Sequence, residues 1–274
     1  MEWILLVLIG LFAGALGSLV GLGGGVIIVP ALVFFGGYTA LLDDLGPQVA
    51  VGTSLIIMIF TGLSSTLSYI KHKTVDYKSG LLFFIGAGPG SIIGAVANKS
   101  FSMESFNLYF GFFMILVSFI LMIRNKIKPI ETFKQSSYQR SFTDASGREF
   151  SYGFPPVLGV AIAFFVGFTS GLFGIGGGSL MVPAMILVFL FPPHVAVATS
   201  MFMVFLSALV SSATHIYLGN INWLYALAII PGAWFGAKGG AYLNSKLQSG
   251  ALVNILRIIL VLIGIRLVYQ GFTG

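Results

Sequence analysis

Two glycine clusters are the first places in this chain where residue type and spacing suggest chemistry. Gly21, Gly23, Gly24 and Gly25 separate a long apolar run from a short one, and so do Gly174, Gly176, Gly177 and Gly178. Glycine reaches positive φ and lets a ligand approach the backbone closely. A break of this kind also frees the N–H groups that head the next helix, where the helix dipole is positive. Two such heads facing one cavity can hold an anion without any Lys or Arg. The plainer alternative is that small residues only let helices pack closely. Duplication of the cluster favours the site. Thr53-Ser54 and Thr199-Ser200 fall near the starts of predicted helices. Their hydroxyls can donate to an anion or bind a coupling ion, or can simply cap and back-bond. Ser18 and Thr169, one turn before the clusters, are secondary candidates. The glycine spacing is not G-x-G-x-x-G, and no Gly-Lys-Ser/Thr follows, so dinucleotide and P-loop readings fail.

The elements that must position these residues follow from composition. Only 8% of the 274 residues are charged, against 57% apolar, and the mean hydropathy is +1.00. A soluble globular chain carries about 25% charged residues. A soluble enzyme, a nucleic-acid binder and a disordered chain are therefore excluded, and the chain reads as an all-α polytopic membrane protein in a lipid bilayer. A hydrocarbon core about 30 Å thick needs roughly 20 apolar residues per helix. About eight full transmembrane helices are expected, near 3–20, 48–70, 80–97, 105–123, 155–173, 195–216, 224–240 and 251–270. Two pieces near 26–36 and 179–190 are too short to cross and read as half-helices behind the glycine breaks. The first run lacks a basic n-region and reads as a membrane span rather than a signal peptide.

Loop charges set the orientation. Lys71, Lys73 and Lys78 lie in one loop, and Arg124, Lys126, Lys128, Lys134, Arg140 and Arg148 in the long segment 124–154. Two spans separate them, so both lie on one side, which the positive-inside rule makes the cytoplasm. The loop 38–47, with Asp43 and Asp44, and the uncharged loop 217–223 then face outside, as do both termini. Trp3, Tyr38 and Trp223 fit an outer aromatic belt. His194 and His215 read as satisfied interfacial histidines, and Lys238 as a snorkelling cytoplasmic side chain.

The chain repeats itself. Gly14 to Gly25, running on to Pro30, matches Gly167 to Gly178, running on to Pro183, at an offset of 153. Ala50 to Ser54 matches Ala196 to Ser200 at 146, and Pro89 to Ala95 matches Pro231 to Ala237 at 142. The basic loop 71–79 corresponds to the bare loop 217–223, so equivalent loops fall on opposite sides. This predicts two inverted-topology repeats, 1–124 and 155–274, joined by a cytoplasmic linker or regulatory flap at 125–154. Gly86, Gly90 and Gly94, like Gly232, Gly236 and Gly240, are spaced by four, which is small-residue helix packing.

At these blocks the chain resembles the sulfite exporter family of the TauE/SafE type. The shared features are paired Gly-Leu-Gly-Gly-Gly-like clusters followed by Pro, the Ala-x-x-Thr-Ser block and the Pro-Gly-x-x-x-Gly-Ala block. The resemblance implies a plasma-membrane permease for small anions: sulfite, sulfonates such as sulfoacetate, thiosulfate or small organic acids. Gly21, Gly23, Gly24, Gly25, Thr53, Ser54, Gly174, Gly176, Gly177, Gly178, Thr199 and Ser200 are then the expected substrate-binding residues. An anion channel and a proton- or sodium-coupled importer are the alternatives. No acid falls mid-span, so the usual carboxylate proton relay is missing and export driven by the membrane potential is expected. With zero Cys, no metal-ligand cluster and no nucleophile–base pair, no cofactor, metal or catalytic role is expected. No nucleic-acid partner is expected, and a homo-oligomer is possible.

Overall fold

The computed structural model describes residues 2–35, 45–123, 139–143, 149–246 and 250–273. Tyr38, Asp43, Asp44, Arg124, Lys126, Lys128, Lys134, Arg148 and the side chain of Lys246 lie outside the described residues. Ten helices and one hairpin follow in chain order: α1 (Glu2–Val20), α2 (Gly25–Phe35), α3 (Pro47–Lys71), α4 (Tyr77–Asn98), α5 (Met103–Ile123), β1 (Gln139–Thr143), β2 (Glu149–Gly153), α6 (Pro156–Phe173), α7 (Gly178–Leu187), α8 (Pro193–Tyr217), α9 (Trp223–Lys246) and α10 (Gly250–Thr273). Pro47, Pro156 and Pro193 open their helices, where a missing N–H is harmless and φ is preset. Among the described residues, seven helices are long and apolar enough to span a bilayer, namely α1, α3, α4, α5, α6, α8 and α10. The eighth expected span, α9, has the length with 24 residues. Its glycines, Pro231 and Lys238 leave it less apolar than the seven. The two short helices α2 and α7 stand where half-helices were expected.

Helix pairing repeats between the halves: α1 packs along α9, α4 along α6, α3 against α8 and α5 against α10. Glycine ridges set the first two pairs. A Cβ added at Gly86, Gly90 or Gly94 would lie 2.1, 2.2 or 2.0 Å from the carbonyl oxygen of Val160, Phe164 or Phe168. At Gly232, Gly236 or Gly240 it would lie 2.0, 2.1 or 2.1 Å from that of Val7, Leu11 or Ala15. The helices in these two pairs therefore run parallel, backbone against backbone. In contrast, α3 and α8 run antiparallel, since Gly52 meets His215 and Asn220 while Gly62 meets Phe205. α5 and α10 are also antiparallel, with Gly271 near Glu104 and Leu108 and Gly264 near Gly111 and Ile115.

These contacts correct one alignment. Equivalent glycines of α4 and α9 are 146 positions apart, as in Gly86 and Gly232, not 142 as the Pro-Gly match suggested. A ridge with a glycine every fourth residue slides by one turn without losing its match, so Pro89 and Pro231 looked equivalent. The true offset is the same 146 that relates α3 to α8.

The expected linker 125–154 carries a hairpin, absent from the all-α reading, with Gln139 opposite Gly153 and Thr143 opposite Glu149. Arg140 Nη2 donates to Asp76 Oδ1 at 2.8 Å and Tyr152 Oη to Asp76 Oδ2 at 2.7 Å. Ser79 Oγ adds a bond to Oδ2 at 2.5 Å. Tyr152 also packs against Phe191 with the rings tilted (centroids 4.0 Å apart), and Phe150 meets His194 edge-on at 5.3 Å. Asp76 thus ties the hairpin to the α3–α4 turn. Burial alone would raise its pKa, but the bonds from Arg140, Ser79 and Tyr152, with the Arg140 charge, hold the carboxyl below its ordinary range. A folded-state pKa below the unfolded value stabilises the fold at neutral pH, and that contribution is lost as pH falls through the folded pKa. Asp76→Asn is expected to lower stability by about 1–2 kcal/mol at pH 7. In thermal scans its deficit should shrink as the pH drops below about 4.

Candidate functional site: two interlocked glycine breaks

The break after α1 is built by three left-handed glycines, Gly21, Gly23 and Gly24, at φ of 85, 83 and 92°. The break after α6 uses two, Gly174 at 68° and Gly176 at 70°. The remaining glycines are there for space. A Cβ on Gly25 would lie 2.2 Å from the carbonyl oxygen of Gly174, and one on Gly178 would lie 1.8 Å from that of Gly21. The head of each short helix therefore rests on the break of the other half. Gly177 differs from the rest: its φ is −60°, and a Cβ there would meet only Val166 Cγ1, at 3.2 Å. All eight cluster glycines are buried.

The Thr-Ser pairs lock this arrangement reciprocally. Ser54 Oγ donates to the Gly174 carbonyl at 2.9 Å, and Ser200 Oγ to the Gly21 carbonyl at 2.8 Å. Thr53 Oγ1 accepts from the backbone N–H of Asn222 at 2.9 Å, and Thr199 Oγ1 from that of Asp76 at 3.0 Å. Asp76 and Asn222 are themselves equivalent caps: each side chain accepts from the backbone three residues on, Ser79 at 3.4 Å and Tyr225 at 3.2 Å. The structure thus brings the glycines and serines to one centre. It ties each threonine to the turn that begins α9 or α4. Ser18 joins a network with Ser65 and Tyr69, and Thr169 bonds back to Val166 at 3.0 Å.

Sequence reasoning did not single out Met58. A Cβ on Gly176 would fall 1.9 Å from Met58 Cε and one on Gly23 2.4 Å from it, so this side chain lies against both breaks. Its equivalent at offset 146, Val204, also meets Gly23, and the two form a small buried cluster with Ala208. An apolar plug therefore sits at the centre, beside half-helix heads whose first N–H groups have no partner inside their own helix. Asn98 Nδ2 bonds the Leu172 carbonyl at 2.8 Å and Asn244 Nδ2 the Leu19 carbonyl at 2.7 Å, another equivalent pair that holds the ends of α6 and α1. His215, in the last turn of α8, is buried in the protein, with Nε2 3.3 Å from the Gly171 carbonyl.

Residues 6–267 match the family described as Sulfite exporter TauE/SafE. The chain is 58% identical over 271 residues to the "Probable membrane transporter protein YunE" of Bacillus subtilis, covering 99% of both chains. It is 29% identical to the "Probable membrane transporter protein MJ0441" of Methanocaldococcus jannaschii, over 95% of this chain and 93% of that one. It is 26% identical to the "Sulfite exporter TauE/SafE family protein 6" of Arabidopsis thaliana, over 59% of this chain and 35% of the plant protein. No solved structure matches. A polytopic helical chain with paired glycine breaks, matched along nearly its whole length, belongs to the sulfite exporter TauE/SafE family.

Proposed function

We propose that this chain is a plasma-membrane permease that exports small anions, foremost sulfur oxyanions such as sulfite, thiosulfate and sulfonates. The carrying observation is the interlock itself: two half-helix heads, buried in protein, each seated on the other's glycine break. Non-helical backbone at membrane depth is tolerated only inside protein or along a wet cavity. In this reading the anion binds at the heads of α2 and α7, against Gly21, Gly23, Gly24 and Gly25 and against Gly174, Gly176, Gly177 and Gly178. Ser54, Ser200, Thr53 and Thr199 hold those heads in register and lend their hydroxyls as the breaks part. Met58 and Val204 close the path between turnovers, which favours a gated carrier over an open channel. The antiparallel runs of α3 against α8 and α5 against α10 support reading the halves as inverted repeats. The hairpin, packed on the basic loop 71–79, supports placing that side in the cytoplasm.

The driving force is sufficient without a coupling ion. At about −150 mV a monovalent anion is expelled with roughly 3.5 kcal/mol. That supports a gradient of more than two decades, at about 1.4 kcal/mol per decade. The test is flux from proteoliposomes loaded with sulfite, thiosulfate, sulfoacetate, sulfate, lactate or glycolate, with the potential clamped by K⁺ and valinomycin. Saturable efflux of a sulfur oxyanion that rises with inside-negative potential is expected. Flux that ignores voltage and follows a proton or Na⁺ gradient would replace export with coupled import, and large unitary currents would replace the carrier with a channel.

A further inference from the structure

Beyond the central breaks, α3 and α8 carry equivalent polar stripes that the structure completes in one half only. On α3 the stripe is Thr61, Ser65 and Tyr69, and it closes on itself. Ser65 Oγ lies 2.8 Å from both the Thr61 carbonyl and Ser18 Oγ, Thr61 Oγ1 donates to the Ile57 carbonyl at 3.2 Å, and Tyr69 Oη donates to the Ser18 carbonyl at 2.9 Å. At offset 146 the residues on α8 are Ser207, Ser211 and His215, and Gly171 takes the place of Ser18. The backbone contact persists, with His215 Nε2 3.3 Å from the Gly171 carbonyl. The serine that would close the network does not. Ser207 Oγ, Ser211 Oγ and His215 Nδ1 have no partner, nor does Ser170 Oγ beside Gly171. All four residues are 0% exposed or nearly so. Ser212 and its equivalent Thr66 are unpartnered in both halves and do not bear on the difference.

Buried polar groups are nearly always paired, so a set of orphans calls for an explanation. Ser207 lies one turn beyond Val204 of the plug, and Ser211 and His215 follow at intervals of four on the same face. His215 stands beside Asn220, close to the α8–α9 turn, at the end of α8 away from the hairpin. The contact with Gly171 places the ring proton on Nε2 and leaves Nδ1 as an acceptor.

We propose that Ser211 and His215, neighbours one turn apart with unpartnered buried atoms, form a second station for a singly protonated oxyanion, on the far side of the plug from the hairpin, with Ser207 one turn before it. The Ser211 hydroxyl donates to one of the ligand's oxygens and the ligand's O–H donates to His215 Nδ1. The station rests on the permease reading and adds to it a place where the anion pauses after leaving the glycine breaks. Initial rates of sulfite flux, measured against concentration in proteoliposomes, test it in wild type, Ser211→Ala, His215→Phe and Ser65→Ala. KM is expected to rise roughly tenfold in Ser211→Ala and His215→Phe, as for loss of one hydrogen bond to a charged ligand. It should stay unchanged in Ser65→Ala, whose hydroxyl serves the closed network. Should His215→Phe fail to fold, Ser211→Ala decides alone. Unchanged KM in Ser211→Ala, or an equal rise in Ser65→Ala, overturns the station while leaving the permease intact. Wild-type protein that moves no sulfite overturns the permease reading for this anion, and the station with it.

Discussion

Alanine at Gly25 or Gly178 is expected to abolish the proposed anion flux and to destabilise the protein by about 3 kcal/mol, whereas alanine at Gly177 should change stability by less than about 1 kcal/mol. The three glycines lie in equivalent clusters and look alike in sequence. Their surroundings differ. A Cβ at Gly178 would sit 1.8 Å from the Gly21 carbonyl and 2.8 Å from Ser200 Oγ, and one at Gly25 would sit 2.2 Å from the Gly174 carbonyl and 2.6 Å from Met58 Sδ. The obstacles are largely backbone, so the opposed break must move and the interlock opens. At Gly177 the only neighbour is one methyl of Val166 at 3.2 Å, which can yield by a rotation. Thermal scans of the purified variants, with flux normalised to folded protein, check this. Equal damage at all three positions would mean that the clusters are merely intolerant of side chains.

Ser54→Ala and Ser200→Ala should cost about 1–3 kcal/mol each, because each leaves a buried glycine carbonyl without its donor. The two bonds are near mirror images at 2.9 and 2.8 Å, so the two losses should be similar. Both serines hold the same pair of breaks. The double variant should therefore depart from additivity by more than about 0.5 kcal/mol. Additive losses in chemical denaturation would show that the two halves close independently.

The helices and the two breaks were legible because their signals are local. Hydropathy marks a span, and glycine followed by a short apolar run marks an interruption. What escaped depended on distant partners. Thr53 and Thr199 read equally as donors to an ion or as local caps and back-bonds, while the backbone N–H groups they accept from lie 169 and 123 residues away. Met58 is one apolar residue among many until the fold sets it against Gly23 and Gly176. The hairpin strands, Gln-Arg-Ser-Phe-Thr and Glu-Phe-Ser-Tyr-Gly, are short and polar on one face, and Asp76, the anchor for Arg140 and Tyr152, lies far off in the chain. The one-turn slip between α4 and α9 has a different cause. There the repeat was visible, but its four-residue period hid the register. Read at 146, the same sequence pairs Met58 with Val204, Asp76 with Asn222 and Tyr69 with His215.

The claim that the interlocked breaks hold the transported anion is tested most directly by locating that anion. Selenite is a heavier analogue of sulfite whose selenium scatters anomalously. Crystals of the protein with selenite at concentrations that saturate flux should show an anomalous peak within about 4 Å of the N–H groups heading α2 or α7, because the selenium stands one bond behind the oxygen that accepts the hydrogen bond. A peak confined to the basic loops, with nothing at the glycine breaks, would contradict the account.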